Sequence, residues 1–110
     1  MEWYKGTIIE NSLESKEILK ELKVIKKYKI VDWILDDVLI TEDQIRKLGE
    51  YMSDGAWYMH FWKENSDCII VVFKDKIFTI SYSDKNTWHE AIQHGESIGI
   101  PEEQLDFLVY

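Results

Sequence analysis

Trp57-Tyr58-Met59-His60-Phe61-Trp62 and, six residues on, Cys68-Ile69-Ile70-Val71-Val72-Phe73 decide how this chain folds. Read as a strand, the first run alternates its side chains. Trp57, Met59 and Phe61 point one way and read as core. Tyr58, His60 and Trp62 point the other way and carry polar tips on apolar bodies, which suits a surface that meets something. The second run is apolar at every position. A strand with no polar face is normally covered on both sides, so this run is expected at the centre of a sheet. Strands are predicted over 56–63, 68–73 and 76–83, joined by turns at Asn65-Ser66-Asp67 and Lys74-Asp75.

Working back towards the N-terminus, residues 3–10 read as a first strand. Asn11, Ser12 and Glu14 have capping-box spacing, which predicts a helix burying Leu13, Ile18, Leu19, Leu22 and Ile25. Rising β-branched content favours a strand over 24–31. It pairs with a further strand over 33–40, where Asp36 and Asp37 interrupt the apolar pattern in the manner of an edge or a bulge. Thr41 and Gln44 form a second capping box, opening a helix with Ile45, Leu48 and Met52 on its buried stripe. Thr87 and Glu90 predict another helix, running to about Gly95, and Pro101 starts a short last one. The order β-α-β-β-α-β-β-β-α-α implies an α+β fold: a mostly antiparallel sheet of about six strands with three or four short helices packed on it.

The 110 residues fit a single domain spanning 1–110, large enough for one core. Cys68 is the one cysteine, so no internal disulfide forms. No leading apolar segment resembles a secretion signal, and no run reaches the ~18 apolar residues of a membrane span. A reducing, cytoplasmic setting is expected. The net charge of −8 argues against nucleic-acid or anionic-membrane binding. That charge is uneven. Residues 1–30 hold seven lysines against five glutamates, whereas residues 31–110 hold six basic residues against sixteen acidic ones.

No spacing specifies a reaction. His89 and His94 invite comparison with the His-Glu-x-x-His zinc helix, but they lie five residues apart, about 140° round a helix rather than about 40°. They cannot share one metal there, and an i,i+4 pair between Glu90 and His94 is the expectation. Cys68 lacks the positive setting of a reactive thiol and reads as a small core residue, with a Cys68–His60 approach across the hairpin the weaker alternative. Asp36, Asp37, Glu42 and Asp43 are acidic neighbours without calcium-loop geometry. Lys16, Lys20, Lys23 and Lys27 form one stripe if the first helix extends that far, and such a stripe is usually a solvated face. Neither catalytic nor metal-ligating residues are assigned, and no cofactor is expected.

Three stretches carry a resemblance. They are Gly6-Thr7-Ile8-Ile9 with Ser12-Leu13, the Trp57–Phe61 run with Val71–Phe78, and Gly99-Ile100-Pro101-Glu102-Glu103-Gln104-Leu105-Asp106-Phe107. Together they resemble a family of short, uncharacterised prokaryotic proteins. The resemblance implies a freestanding bacterial or archaeal domain and brings no activity or site residue with it.

Two functions compete. The first is a non-enzymatic binding or protein-interaction domain using Tyr58, His60 and Trp62, with self-association as one form and an inhibitor of the immunity or antitoxin type as another. The second is a small-ligand or enzymatic pocket lined by the same aromatics, with His60 as its polar group. The first is favoured, because the chain shows one interface candidate and no pair of cooperating catalytic groups.

Overall fold

The computed structural model describes residues 3–107. Six strands form one antiparallel sheet: β1 (Tyr4–Ile9), β2 (Lys23–Ile30), β3 (Trp33–Ile40), β4 (Met59–Trp62), β5 (Cys68–Val72) and β6 (Ile77–Ser81). Their spatial order is β2-β3-β1-β4-β5-β6. Two α-helices, α1 (Glu42–Lys47) and α2 (His89–Ser97), and several short 3-10 turns complete an α+β fold. The all-apolar β5 lies inside the sheet and is covered on both faces, though the middle of the sheet is the β1–β4 pair.

Side-chain alternation builds two separate cores. On one face Tyr4, Ile8, Val38, Ile40, Met59, Phe61, Ile70 and Val72 pack under Leu13, Ile18, Leu22, Ile45, Leu48 and Met52. The Thr41 capping box forms as predicted, but α1 ends at Lys47: Ile45 lies on it, Leu48 on the 3-10 turn Leu48–Tyr51 and Met52 just beyond, and all three are buried. Thr41 Oγ1 accepts from the Gln44 amide at 3.3 Å, and Gln44 Oε1 accepts from the Thr41 amide at 3.0 Å. On the second face Trp62, Ile69, Val71 and Ile80 pack under Trp88, Ala91, Ile100, Leu105 and Phe107. Among the described residues that cover comes from Trp88, α2 and the segment after it, and it spans β4, β5 and β6. Thr7 and Ile9 of β1 and Leu35 and Asp37 of β3 lie on the second face, are half-buried, and belong to neither core cluster of the described residues.

Gly6 lets β1 and β4 approach. It sits opposite Phe61, whose ring lies over the glycine. A Cβ there would press into that ring and stand 2.8 Å from the His60 carbonyl oxygen.

Several local expectations are corrected. Residues 10–22 hold two 3-10 turns, Glu10–Ser12 and Glu17–Lys20, instead of an α-helix. The backbone there is taken up by residues 51–53. Leu13 bridges Met52, the Ser53 amide donates to the Ser12 carbonyl at 2.7 Å, and the Glu14 amide donates to the Tyr51 carbonyl at 2.8 Å. Asn11 caps nothing. Its side chain instead ties to the Asp32 carbonyl and the Ile34 amide. Without that helix the lysine stripe does not exist: Lys16 and Lys27 both reach Glu10, and Lys20 pairs with Glu17. β3 is not an edge. The edge is β2, and the irregularity lies on β2 between Val24 and Lys26, beside Asp37. Thr87 does not box with Glu90; Asp84 caps the 3-10 turn that leads into α2. The last helix is the single 3-10 turn Glu102–Gln104.

Candidate functional site

The half-covered second face leaves a step where the cover stops, and a cleft of about 640 Å³ lies along it. Thr7 and Ile9 of β1 and Trp33 and Leu35 of β3 form its floor and one side. Trp57, Tyr58, His60 and Trp62 form the other side, with Ile100 and Gln104 at the edge of the covering segment. The predicted strand parity holds: His60 and Trp62 share the second face with Val71 and Ile69, whereas Met59 and Phe61 lie in the first core.

Tyr58, His60 and Trp62 are not an outward platform, however. Trp62 is only 6% exposed, and Tyr58 and His60 are half-buried. Phe107 explains this. Its ring meets Tyr58 edge-on at 5.6 Å and His60 at 5.9 Å between centroids. The Tyr58 hydroxyl donates to the Gln104 carbonyl at 2.5 Å, tying the covering segment to the wall. The three rings form a run, with Tyr58–His60 at 6.3 Å and 23° and His60–Trp62 at 5.4 Å and 33°. They make the inner wall of a concavity.

Trp33 and Trp57 also line the cleft and were not among the candidate residues. Their rings meet edge-on at 5.8 Å. Trp57 reads as core by alternation, and it does pack against the first core, but it precedes β4 and is half-buried at the cleft. Trp33 and Leu35 fall at alternate positions of β3, which marks an apolar second face. Nothing local shows that this face goes uncovered.

The polar inventory of the cleft is short: His60, the Tyr58 hydroxyl, Thr7, Gln104 and the indole N–H groups. Tyr58 is bonded as described, and the Thr7 hydroxyl donates to Asp37 Oδ1 at 2.7 Å. No carboxylate, lysine, arginine or cysteine lines it among the described residues. A wall of this kind holds a ligand by contact and ring stacking, with a few polar atoms for orientation.

The remaining candidates lie elsewhere. Cys68 is on the opposite face of the sheet from His60, so the alternative Cys-His approach fails on parity. His94 pairs with Asp75 at 3.0 Å and not with Glu90, and that hydrogen bond holds the Asp75 carboxyl below its usual range. His89 is exposed. Asp36 and Asp37 point to opposite faces. Asp37 accepts from Thr7 and Tyr28, while Asp36 is buried beside Glu10 and Lys27. Among the described residues no cluster of three or more His, Cys, Asp or Glu side chains could hold a metal ion. No helix among them is long and apolar enough to cross a membrane.

Comparison with protein-family models, with curated proteins and with solved structures finds no match. The functional reading therefore rests on the cleft itself.

Proposed function

We propose that this protein binds a flat, largely apolar small molecule in the aromatic cleft between the open and covered halves of its sheet. The supporting observation is the cleft: about 640 Å³, with Trp33, Trp57, Tyr58, His60 and Trp62 on its walls. Ligand sites commonly fall within about 300–1,000 Å³ and combine apolar walls with few polar groups. The reading revises the preference for a flat protein interface at Tyr58, His60 and Trp62. An interface anchor must reach a partner, and these rings face inward beneath Phe107. His60 serves as an orienting hydrogen-bonding group, because the other acid–base side chain among the described lining residues, Tyr58, has its hydroxyl engaged by the Gln104 carbonyl.

Indole tests this as a minimal planar probe. Titration followed by NMR is expected to shift the ring signals of His60 and Trp57, with a Kd of roughly 0.1–1 mM for so few heavy atoms. Trp33→Ala, at the exposed rim, should weaken binding about tenfold, an expected loss of about 1.4 kcal/mol. Shifts scattered over the surface, or binding indifferent to Trp33, would refute the cleft as a site.

A further inference from the structure

β2 is an edge strand of unusual chemistry. Among the described residues it pairs with β3 on one side and is the terminal strand of the sheet on the other. Its eight residues carry four lysines (Lys23, Lys26, Lys27 and Lys29) and no acid, in a chain of net charge −8. Lys27 is committed to Glu10 and Asp36, at 3.0 and 3.8 Å. None of the ion pairs among the described residues involves Lys23, Lys26 or Lys29. Seven large hydrophobic residues are exposed among the described ones, and four of them (Val24, Ile25, Ile30 and Val31) lie on β2 or its turn. Ile25 is 61% exposed and Val31 83%.

Lysines and a bulge on an edge usually keep strands from adding. Their effect depends on the incoming strand. A second copy of β2 would bring lysine against lysine, which is unfavourable between paired strands. An acidic strand meets the opposite field, and its apolar residues find Ile25 and Ile30. We infer that the β2 edge receives an extended acidic segment of another protein, with glutamate or aspartate alternating with apolar residues, which adds to the sheet as a seventh strand. Backbone hydrogen bonds then supply attachment, and the lysines supply selectivity. An anionic membrane surface is the weaker occupant, since it has no register of donors and acceptors to match the strand edge. This inference uses a different part of the molecule from the cleft and stands without it.

Three labelled decapeptides test it by fluorescence anisotropy: alternating glutamate and valine, alternating lysine and valine, and the glutamate peptide N-methylated at alternate residues along one edge. The glutamate peptide is expected to bind at least about tenfold tighter than the lysine peptide, and to weaken as salt rises. N-methylation should cut its affinity about tenfold by removing the donors of one edge. Because that change sits in the peptide, the protein's folding is not at issue. Lys26→Glu/Lys29→Glu should reverse the preference, and amide shifts on binding should centre on residues 23–30. The inference is overturned by equal binding of both charges, by indifference to N-methylation, or by shifts confined to the cleft. It is equally overturned if phosphatidylserine vesicles bind where the glutamate peptide does not.

Discussion

Asp36 and Glu10 are buried carboxylates on the same side of the sheet, with Lys27 reaching both. Both Asp36 oxygens and Glu10 Oε2 lack a hydrogen-bond donor when each group is ionised, although Lys27 Nζ stands 3.0 Å from that Glu10 oxygen as an ion pair. One shared proton resolves this. Burial, reinforced by Glu10, pushes Asp36 up to about 7, and the hydrogen bond from Asp36 together with Lys27 holds Glu10 below its usual range. Asp36 is thus raised above its unfolded value. Its contribution to stability is complete below about pH 4 and is lost as pH rises through about 7. A carboxamide in place of this carboxyl would keep a donor at every pH. Asp36→Asn is therefore expected to stabilise the fold at pH 8 by about 1–3 kcal/mol relative to the parent, with the difference shrinking towards pH 5. Urea melts at the two pH values check this; a variant less stable than the parent at pH 8 would contradict the shared proton. Gly6 is constrained by contact. Gly6→Ala drives a methyl into Phe61 and the His60 carbonyl, and should cost about 1–3 kcal/mol in a urea melt. An Asp-Asp step in an apolar run was visible in the sequence, but its burial was not: the partners Glu10 and Lys27 come from two other elements.

At the scale of elements, local pattern sufficed where an element's own side chains decide its state. The strand over 33–40 appears at its predicted bounds, and the α1 capping box closes as its spacing implies. It failed over residues 10–22. Leu13, Ile18 and Leu22 are buried as a helical stripe requires, Leu19 is half-buried and Ile25 is exposed on β2, and the backbone pairs with residues 51–53 instead of with itself. Apolar spacing reports which residues are buried, and two different backbones can satisfy it. The β2–β3 turn shows the converse. Val31 holds φ at 54°, in the left-handed region, while its side chain lies almost wholly in water. A β-branched residue is costly there, and asparagine is well tolerated. Val31→Asn is expected to raise stability by about 1 kcal/mol, seen as a higher Tm. A lower Tm would show that Val31 packs against something.

The cleft belongs to the whole molecule. Its walls come from β1, β3, the segment before β4, β4 itself and the covering segment near Ile100 and Gln104. Among the described residues it follows from a mismatch of sizes: the sheet has six strands, and the cover on its second face spans three. Filling it should abolish binding without harming the fold. Leu35→Trp places a larger ring on the open floor, and is expected to leave the Tm within about 4 °C while weakening indole at least about tenfold. Retained binding would place the ligand elsewhere. A large fall in Tm would mean that the floor is already filled.

The chain by itself determined the α+β class, the parity that divides Met59 and Phe61 from His60 and Trp62, and much of the buried set, though Ile25, read as buried, is 61% exposed and Trp62, read as outward, is buried. Each of these follows from side-chain periodicity along a short stretch. Only the tertiary structure decided that β4 adjoins β1, that Phe107 closes over Tyr58 and His60, and that Trp33 faces Trp57. Those neighbours lie tens of residues apart, and the energy that joins them, burial of one apolar surface by another, is nondirectional and leaves no mark on the spacing of either partner.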